Sequence, residues 1–179
     1  MTGMSVSGYR QLAGFTLVEL VSVIVILGVI SLFAMSRMVG PDSFGPALVA
    51  QEVVAQTRLG QQSAQSRRGG QIGLLLDAPA DQWRLQIHWQ DDNGATQLHV
   101  RELDRGNTQI SLRNGTEQWQ LGASQALQLA FDGRGGLDSA LVGSESLDVS
   151  LGLELSISGG ASYLVCIGAL GYAYREACI

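Results

Sequence analysis

Apolar side chains fill nearly every position from Phe15 to Met35, and the one charge inside that run is Glu19. A run of this length predicts a helix of roughly 30 Å, the thickness of a bilayer core. A carboxylate within it costs about 2.5 to 3.5 kcal/mol on insertion scales, so it is expected to have a partner or a job. Next, Gly40-Pro41 and Gly45-Pro46 predict a bend or melted stretch between Met38 and Pro46. Each proline removes a backbone donor and pushes its preceding residue out of the α region. Leu48, Ala55 and Leu59, with Val49 and Val53 beside them, then form an apolar stripe at helical spacing, while Gln51, Thr57, Gln61, Gln65 and Arg68 face away. An amphipathic second helix is expected over 46–68, ended by Gly69-Gly70.

The period then changes to two. Trp83, Leu85, Ile87 and Trp89 alternate with Arg84, Gln86 and His88, and Asn93-Gly94 predicts a type I′ hairpin turn. That turn would set Trp89 against Leu98, Ile87 against Val100 and His88 against His99, with a bulge near the end to take Glu102 off the apolar face. Shorter strands are expected over 109–112, 117–121 and 125–131, with a tight turn at Asp132-Gly133-Arg134-Gly135-Gly136. The longest alternation, from Leu147 to Ile157, predicts a strand with one face on the helix, followed by strands over 162–167 and 172–175. About 140 residues follow the apolar helix, enough for one compact domain. The expected fold class is α+β, a long N-terminal helix packed on an antiparallel β-sheet domain over 71–179.

Chain cleavage after Gly14 would place an ammonium on Phe15, about one helical turn from Glu19. With an axial stagger between neighbouring helices, the carboxylate of one subunit meets the amine of the next, which favours assembly over dispersal in lipid. The run Gly14-Phe15-Thr16-Leu17-Val18-Glu19-Leu20, with Gly28 inside the aliphatic helix, resembles the class III signal of type IV pilins and type II secretion pseudopilins; the likeness covers Gly14 to about Met38. The resemblance implies a leader over 1–14, a transmembrane and polymerisation helix over 15–38, cleavage after Gly14 by a prepilin peptidase and methylation of the Phe15 amine. It also implies an assembly role for Glu19. The partners it implies are other pilin or pseudopilin subunits, bound through the N-terminal helix, and an inner-membrane assembly machinery. Two other readings stay open: an ordinary secretory signal cut near Ala34-Met35-Ser36, which would start the mature chain near Arg37, and a plain signal anchor.

Composition narrows the function classes. All 11 basic residues are Arg, set against 16 acidic ones for a net charge of −5. Loss of the leader removes Arg10 alone, leaving ten against sixteen and a net charge of −6. That balance argues against broad binding to nucleic acid. Arg10 and Arg37 flank the helix and set orientation poorly, so the leader logic places the C-terminal domain in the periplasm, with the inner membrane as anchor before assembly. The only two cysteines, Cys166 and Cys178, are close in sequence with no His or further Cys at metal spacing, so they are expected to form a disulfide. His88 and His99 on one face could hold a metal or form a pH-sensitive spot, yet no further ligands are evident; solvated surface histidines are the plainer reading.

The segment Phe131-Asp132-Gly133-Arg134-Gly135, a long alternating strand, then Val165-Cys166-Ile167, Gly171-Tyr172 and Cys178, is similar to H-type pseudopilins and to the minor pilin C group of the mannose-sensitive haemagglutinin (MSHA) pilus. No metalloprotease, nucleophile-elbow, phosphate-loop or Cys-x-x-Cys signature occurs, so no enzymatic activity, cofactor or metal is expected. Asn114-Gly115-Thr116 fits a glycosylation acceptor and reads as a turn. The expected function is a structural subunit of a pilus filament involved in assembly, adhesion or motility. The alternatives are a pseudopilin of type II secretion and a DNA-uptake pilin using Arg67, Arg68 and Arg134.

Overall fold

The computed structural model describes residues 16–38 and 45–178, with side chains over 16–30 and 45–178. The expected break between Met38 and Pro46 falls almost wholly on 39–44, outside the described residues. The chain divides into two units, Met1–Gly40 and Pro41–Ile179. The first contains α1, Leu17–Met38. The described residues of the second form α2, Gly45–Ser66, and eleven strands arranged in two antiparallel sheets, so the fold class is α+β.

The larger sheet has the order β3-β2-β1-β6-β7-β8, in which β1 spans Gln71–Asp77, β2 Gln82–Asp91, β3 Gly94–Asp104, β6 Leu127–Phe131, β7 Leu137–Val142 and β8 Glu145–Ser146. The smaller has the order β11-β10-β9-β4-β5: β4 is Gln109–Asn114, β5 Glu117–Gln120, β9 Leu153–Gly159, β10 Ala161–Ile167 and β11 Ala173–Tyr174. Helix α2 packs on β1, β2 and β6 of one sheet and on β9, β10 and β11 of the other, so one core serves both. Ile72, Leu74, Leu76, Trp83, Leu85, Ile87, Leu129 and Phe131 fill the larger sheet's inner face; Ile110, Leu112, Leu155, Ile157 and Val165 fill the smaller one's. Such burial supplies the main drive for folding, about 1.5 to 3 kcal/mol for each large side chain.

Three expectations are corrected. The stripe of α2 that enters the core is Val49, Ala50, Val53, Val54, Thr57, Gly60 and Ala64. Leu48 (53 % exposed), Ala55 and Leu59 (38 %) run down the opposite, outer side. Both stripes have helical spacing, so periodicity alone cannot choose between them; the small residues Ala50, Gly60 and Ala64 let the helix approach the strands closely, and that decides it. Second, the alternation from Leu147 to Ile157 is not one strand. Asp148 accepts from the Ser150 N–H (2.9 Å) and hydroxyl (2.6 Å), capping a short 3₁₀ turn over Val149–Leu151, and Gly152 takes a positive φ of 72° before β9 starts. Those local hydrogen bonds compete with the ladder, as Asp and Ser do where a turn is available. Leu151 is left 57 % exposed as a result.

The third correction concerns the hairpin register. Asp91 pairs with Gly94, so Asp92 and Asn93 are the turn's centre, and the Asp91 carboxylate accepts from the Asn93 N–H at 2.9 Å. This Asx turn moves the loop one residue toward the N-terminus. Trp89 therefore faces Thr96, and the bulge comes early: the ladder steps from Ile87–His99 to His88–Gln97, leaving Leu98 as the extra residue. Glu102 lies opposite Arg84 on the outer face. Strand β1, at the centre of the larger sheet, and strands β7 and β8 complete the architecture.

Candidate functional site

Gly14 and Phe15, the expected processing pair, lie outside the described residues. Glu19 is described. Thr16 precedes α1 as its cap, its hydroxyl accepting from the Glu19 N–H at 3.3 Å and its carbonyl from the Leu20 N–H at 3.2 Å. Glu19 thus occupies the third helical position, three residues after a capping threonine, the spacing of a capping box. Its carboxylate sits in the first turn, where the helix dipole favours negative charge. Among the described residues it makes no ion pair.

From Leu17 to Ile30 the rest of α1 is apolar apart from Ser22, whose hydroxyl donates to the Glu19 carbonyl at 2.8 Å. Leu17, Val18, Leu20, Ile24, Val25, Ile26 and Ile30 point to every side of the helix and are each more than half exposed within this unit. A helix with no polar face is normally covered by protein or lipid. Its side chains are described as far as Ile30, so the expected span of Phe15 to Met35 runs past the described side chains at both ends. Among the described residues no helix is long and apolar enough to cross a membrane.

In the second unit Cys166 and Cys178 are joined, with their Cα atoms 5.1 Å apart. The bridge holds the chain end against Glu154, whose carboxylate accepts from the Cys178 N–H at 3.1 Å and from Arg113 at 2.6 Å. The loop between the cysteines is further tied to α2: Arg58 donates to the Ala173 carbonyl (3.0 Å) and lies over the Tyr172 ring, and Gln61 donates to the Leu170 carbonyl (2.8 Å). Gln65 donates to the Arg134 carbonyl at 3.0 Å, which brings the 132–136 turn to the end of α2 that carries Arg67 and Arg68. The Arg67 guanidinium stacks over the Trp89 ring.

The two histidines are not brought together. His99 pairs with Ile87 and so shares the face turned toward α2, as does Arg101, which reaches Glu52 of α2 at 3.4 Å. His88 pairs with Gly73 and Gln97 on the outer face. The bulge at Leu98 is the cause, because an odd insertion exchanges the faces of all that follows. Among the described residues no three His, Cys, Asp or Glu side chains stand together as a metal site.

Burial lowers the His88 pKa from its ordinary value, so the folded chain holds this imidazole neutral more strongly than the unfolded chain does. Stability from this residue is therefore full above the unfolded pKa, about 6.5, and is lost as pH falls through the lower folded value. His88→Gln is expected to flatten the fall of the melting temperature below about pH 6.5. Superimposable melting-temperature profiles of the two proteins would remove this contribution.

The comparisons with known proteins bear on the N-terminal segment. Residues 10–35 match the family model described as the prokaryotic N-terminal methylation motif. That motif marks type IV pilin-like and pseudopilin proteins, which are structural subunits, and this chain carries it. No curated protein and no solved structure gave a match.

Proposed function

We propose that the chain is a minor type IV pilin of MSHA-like type, a structural subunit without enzymatic activity. It is stored in the inner membrane by α1, with the second unit in the periplasm, and is drawn into a filament by a separate assembly machine. The observation that carries this reading is the methylation motif over 10–35, with Glu19 in the first turn of a helix that is apolar on all described sides. Prepilin peptidase is the enzyme that would cut after Gly14 and methylate Phe15.

The outer side of α2 adds support. Leu48, Ala55 and Leu59 form an exposed apolar line directly opposite the core, an arrangement that costs solubility unless another subunit covers it. The pseudopilin of type II secretion is the second reading, favoured by the same motif, since the anchor physics is shared. The Arg134 carbonyl is tied to Gln65 of α2, close in sequence to Arg67 and Arg68, but a net charge of −6 after processing weighs against a DNA-uptake role.

Mass spectrometry of the N-terminal peptide tests the reading. The expected mature chain begins at Phe15 with a methylated amine. A terminus near Arg37, or an intact leader in cells that process other pilins, overturns it.

A further inference from the structure

Three dipeptides of the chain have the chemistry to close a five-membered imide on their own backbone: Asn93-Gly94, Asn114-Gly115 and Asp132-Gly133. In such a pair the glycine nitrogen attacks the side-chain carbonyl carbon of the residue before it. Glycine favours this because it has no Cβ to hinder the approach or restrict the backbone. The side chain must be free to swing onto that nitrogen, and water must reach the ring to open it. Fold rather than sequence decides which of the three meets both conditions.

Asn114 meets neither. It is 7 % exposed, its amide donates to the carbonyls of Asp148 and Gly152 at 2.9 Å each, and its side-chain oxygen accepts from the Asp148 N–H at 3.0 Å. These three bonds tie the 148–152 turn to the end of β4, and moving the side chain would break them all. The Leu151 side chain also crowds Gly115, only 3.1 Å from where a Cβ would stand. Asp132 is held too, since one oxygen of its carboxylate accepts from both the Arg134 and Gly136 N–H groups at 2.8 Å. A carboxylate is, besides, a poorer electrophile than an amide.

Asn93 lies at the tip of the β2–β3 hairpin, where Asp92, Asn93, Gly94 and Ala95 are all exposed. The bond from its backbone N–H to Asp91, at 2.9 Å, anchors the main chain and leaves the side chain free. Its amide reaches only the Asp91 carboxylate, at 3.4 Å, the outer limit of a hydrogen bond. Gly94 stands in open space, with no atom within 4 Å of the position a Cβ would take, and its φ of +129° is one that glycine adopts readily.

We propose that Asn93 is a site of self-modification, converted in the folded protein to isoaspartate through a succinimide, while Asn114 and Asp132 are protected. The Gly94 nitrogen bonds to the Asn93 Cγ, the Cγ–Nδ2 bond breaks, and the amide group leaves as ammonia with the proton that the Gly94 nitrogen gives up. Water then adds to one of the two ring carbonyls and breaks its bond to the ring nitrogen. Opening at the backbone carbonyl yields isoaspartate, and opening at Cγ yields aspartate. Water is the one co-reactant. Isoaspartate sets a third carboxylate beside Asp91 and Asp92 and lengthens the main chain of a turn closed by the Asp91–Gly94 pair. Strand β3 is the edge of the larger sheet, held by β2 alone, and its ladder is interrupted at Leu98. The tip therefore loosens over 94–97, while the ladder beyond the bulge holds.

The test ages the full chain in detergent, at physiological temperature and mildly alkaline pH in heavy-oxygen water, beside a sample in denaturant. Peptide mass spectrometry with electron-transfer fragmentation reads the label and separates isoaspartate from aspartate. In the folded chain Asn93 is expected to take up label at least about tenfold faster than Asn114, whose three hydrogen bonds raise its barrier. In denaturant the two should react at similar rates. Isoaspartate is the mark of the ring, because direct hydrolysis gives aspartate alone. Asn93→Gln, which would need a six-membered ring, should stay unmodified. Hydrogen exchange over 94–97 should be faster in the aged native chain than in Asn93→Gln aged alike, with no difference over 99–104. Retention of the Asn93 amide in the folded chain while the denatured chain reacts overturns the proposal, as does equal reaction of Asn114 in the folded state or aspartate without isoaspartate at position 93. Modification with unchanged exchange over 94–97 overturns the loosening of the tip.

Discussion

Glu19→Ala is expected to leave the thermal melting of the second unit unchanged and to lower recovery of the subunit in sheared filaments by about tenfold or more. Locally the substitution costs little. A carboxylate in the first turn contributes about 0.3 to 1 kcal/mol through the helix dipole, and alanine returns part of that as helix propensity. The Thr16 cap survives, because it takes the backbone N–H of residue 19 and not its side chain. Assembly is different. A carboxylate paired with the Phe15 ammonium of a neighbouring subunit in a water-poor helix bundle is worth about 4 kcal/mol at 4 Å and an effective dielectric of 20. Removing one partner also strands the other charge, a penalty of about 3 to 5 kcal/mol for buried pairs. Glu19→Gln separates the two roles, since it preserves the polar group at the third helical position and removes the charge; it should fail to assemble as alanine does. Equal recovery of either variant and the native subunit would leave the capping position as the sole account of this residue.

The segment with the strongest functional signal was legible because its physics is local: length, apolarity and one acid all stand within a few turns, whereas the capping role of Thr16 emerged only from the structure. The α+β class was legible too, since periods of 3.6 and 2 follow one another along the chain. What the sequence hid depended on partners far away in the chain. Strand β1 reads Gln71-Ile72-Gly73-Leu74-Leu75-Leu76-Asp77, and its alternation was masked by Gly73 and Leu75 on the outer face; only its pairing with both β2 and β6 makes it central. The outward turn of Leu48 and Leu59 is decided by how closely α2 can approach the strands, a matter of Ala50, Gly60 and Ala64 against residues such as Phe131. The outer face of the larger sheet was half visible. Gln86, His88 and Gln90 alternate with the core residues of β2, which marks them as outward, but the convergence of His88 and Gln90 with Gln128 and Ser139 around one shallow cavity comes from the order of strands.

Replacing Cys166 and Cys178 with serine is expected to lower the melting temperature of the second unit by about 10 °C, equivalent to about 3 kcal/mol. Most of that acts on the unfolded chain, which loses a closed loop and gains conformational freedom. The folded state changes as well. Without the bridge, the Cys178 N–H no longer has a covalent reason to remain at Glu154, and the 168–175 loop is held by the hydrogen bonds from Arg58 and Gln61, the short ladder of β11 on β10 and the Leu137 N–H on the Ala169 carbonyl. A neutral hydrogen bond such as that of Gln61 contributes only about 0.5 to 1.5 kcal/mol net and one from a charged donor such as Arg58 about 1.5 to 3 kcal/mol, so together they offset part of the loss and the loop should stay attached but fray first. Hydrogen exchange distinguishes these contributions: the amides of 168–178 should exchange faster in the serine variant at temperatures where the central strands β1, β2 and β6 remain protected. A melting temperature within a degree or two of native, with unchanged exchange in 168–178, would mean that the contacts with α2 fix the chain end without help from the bridge.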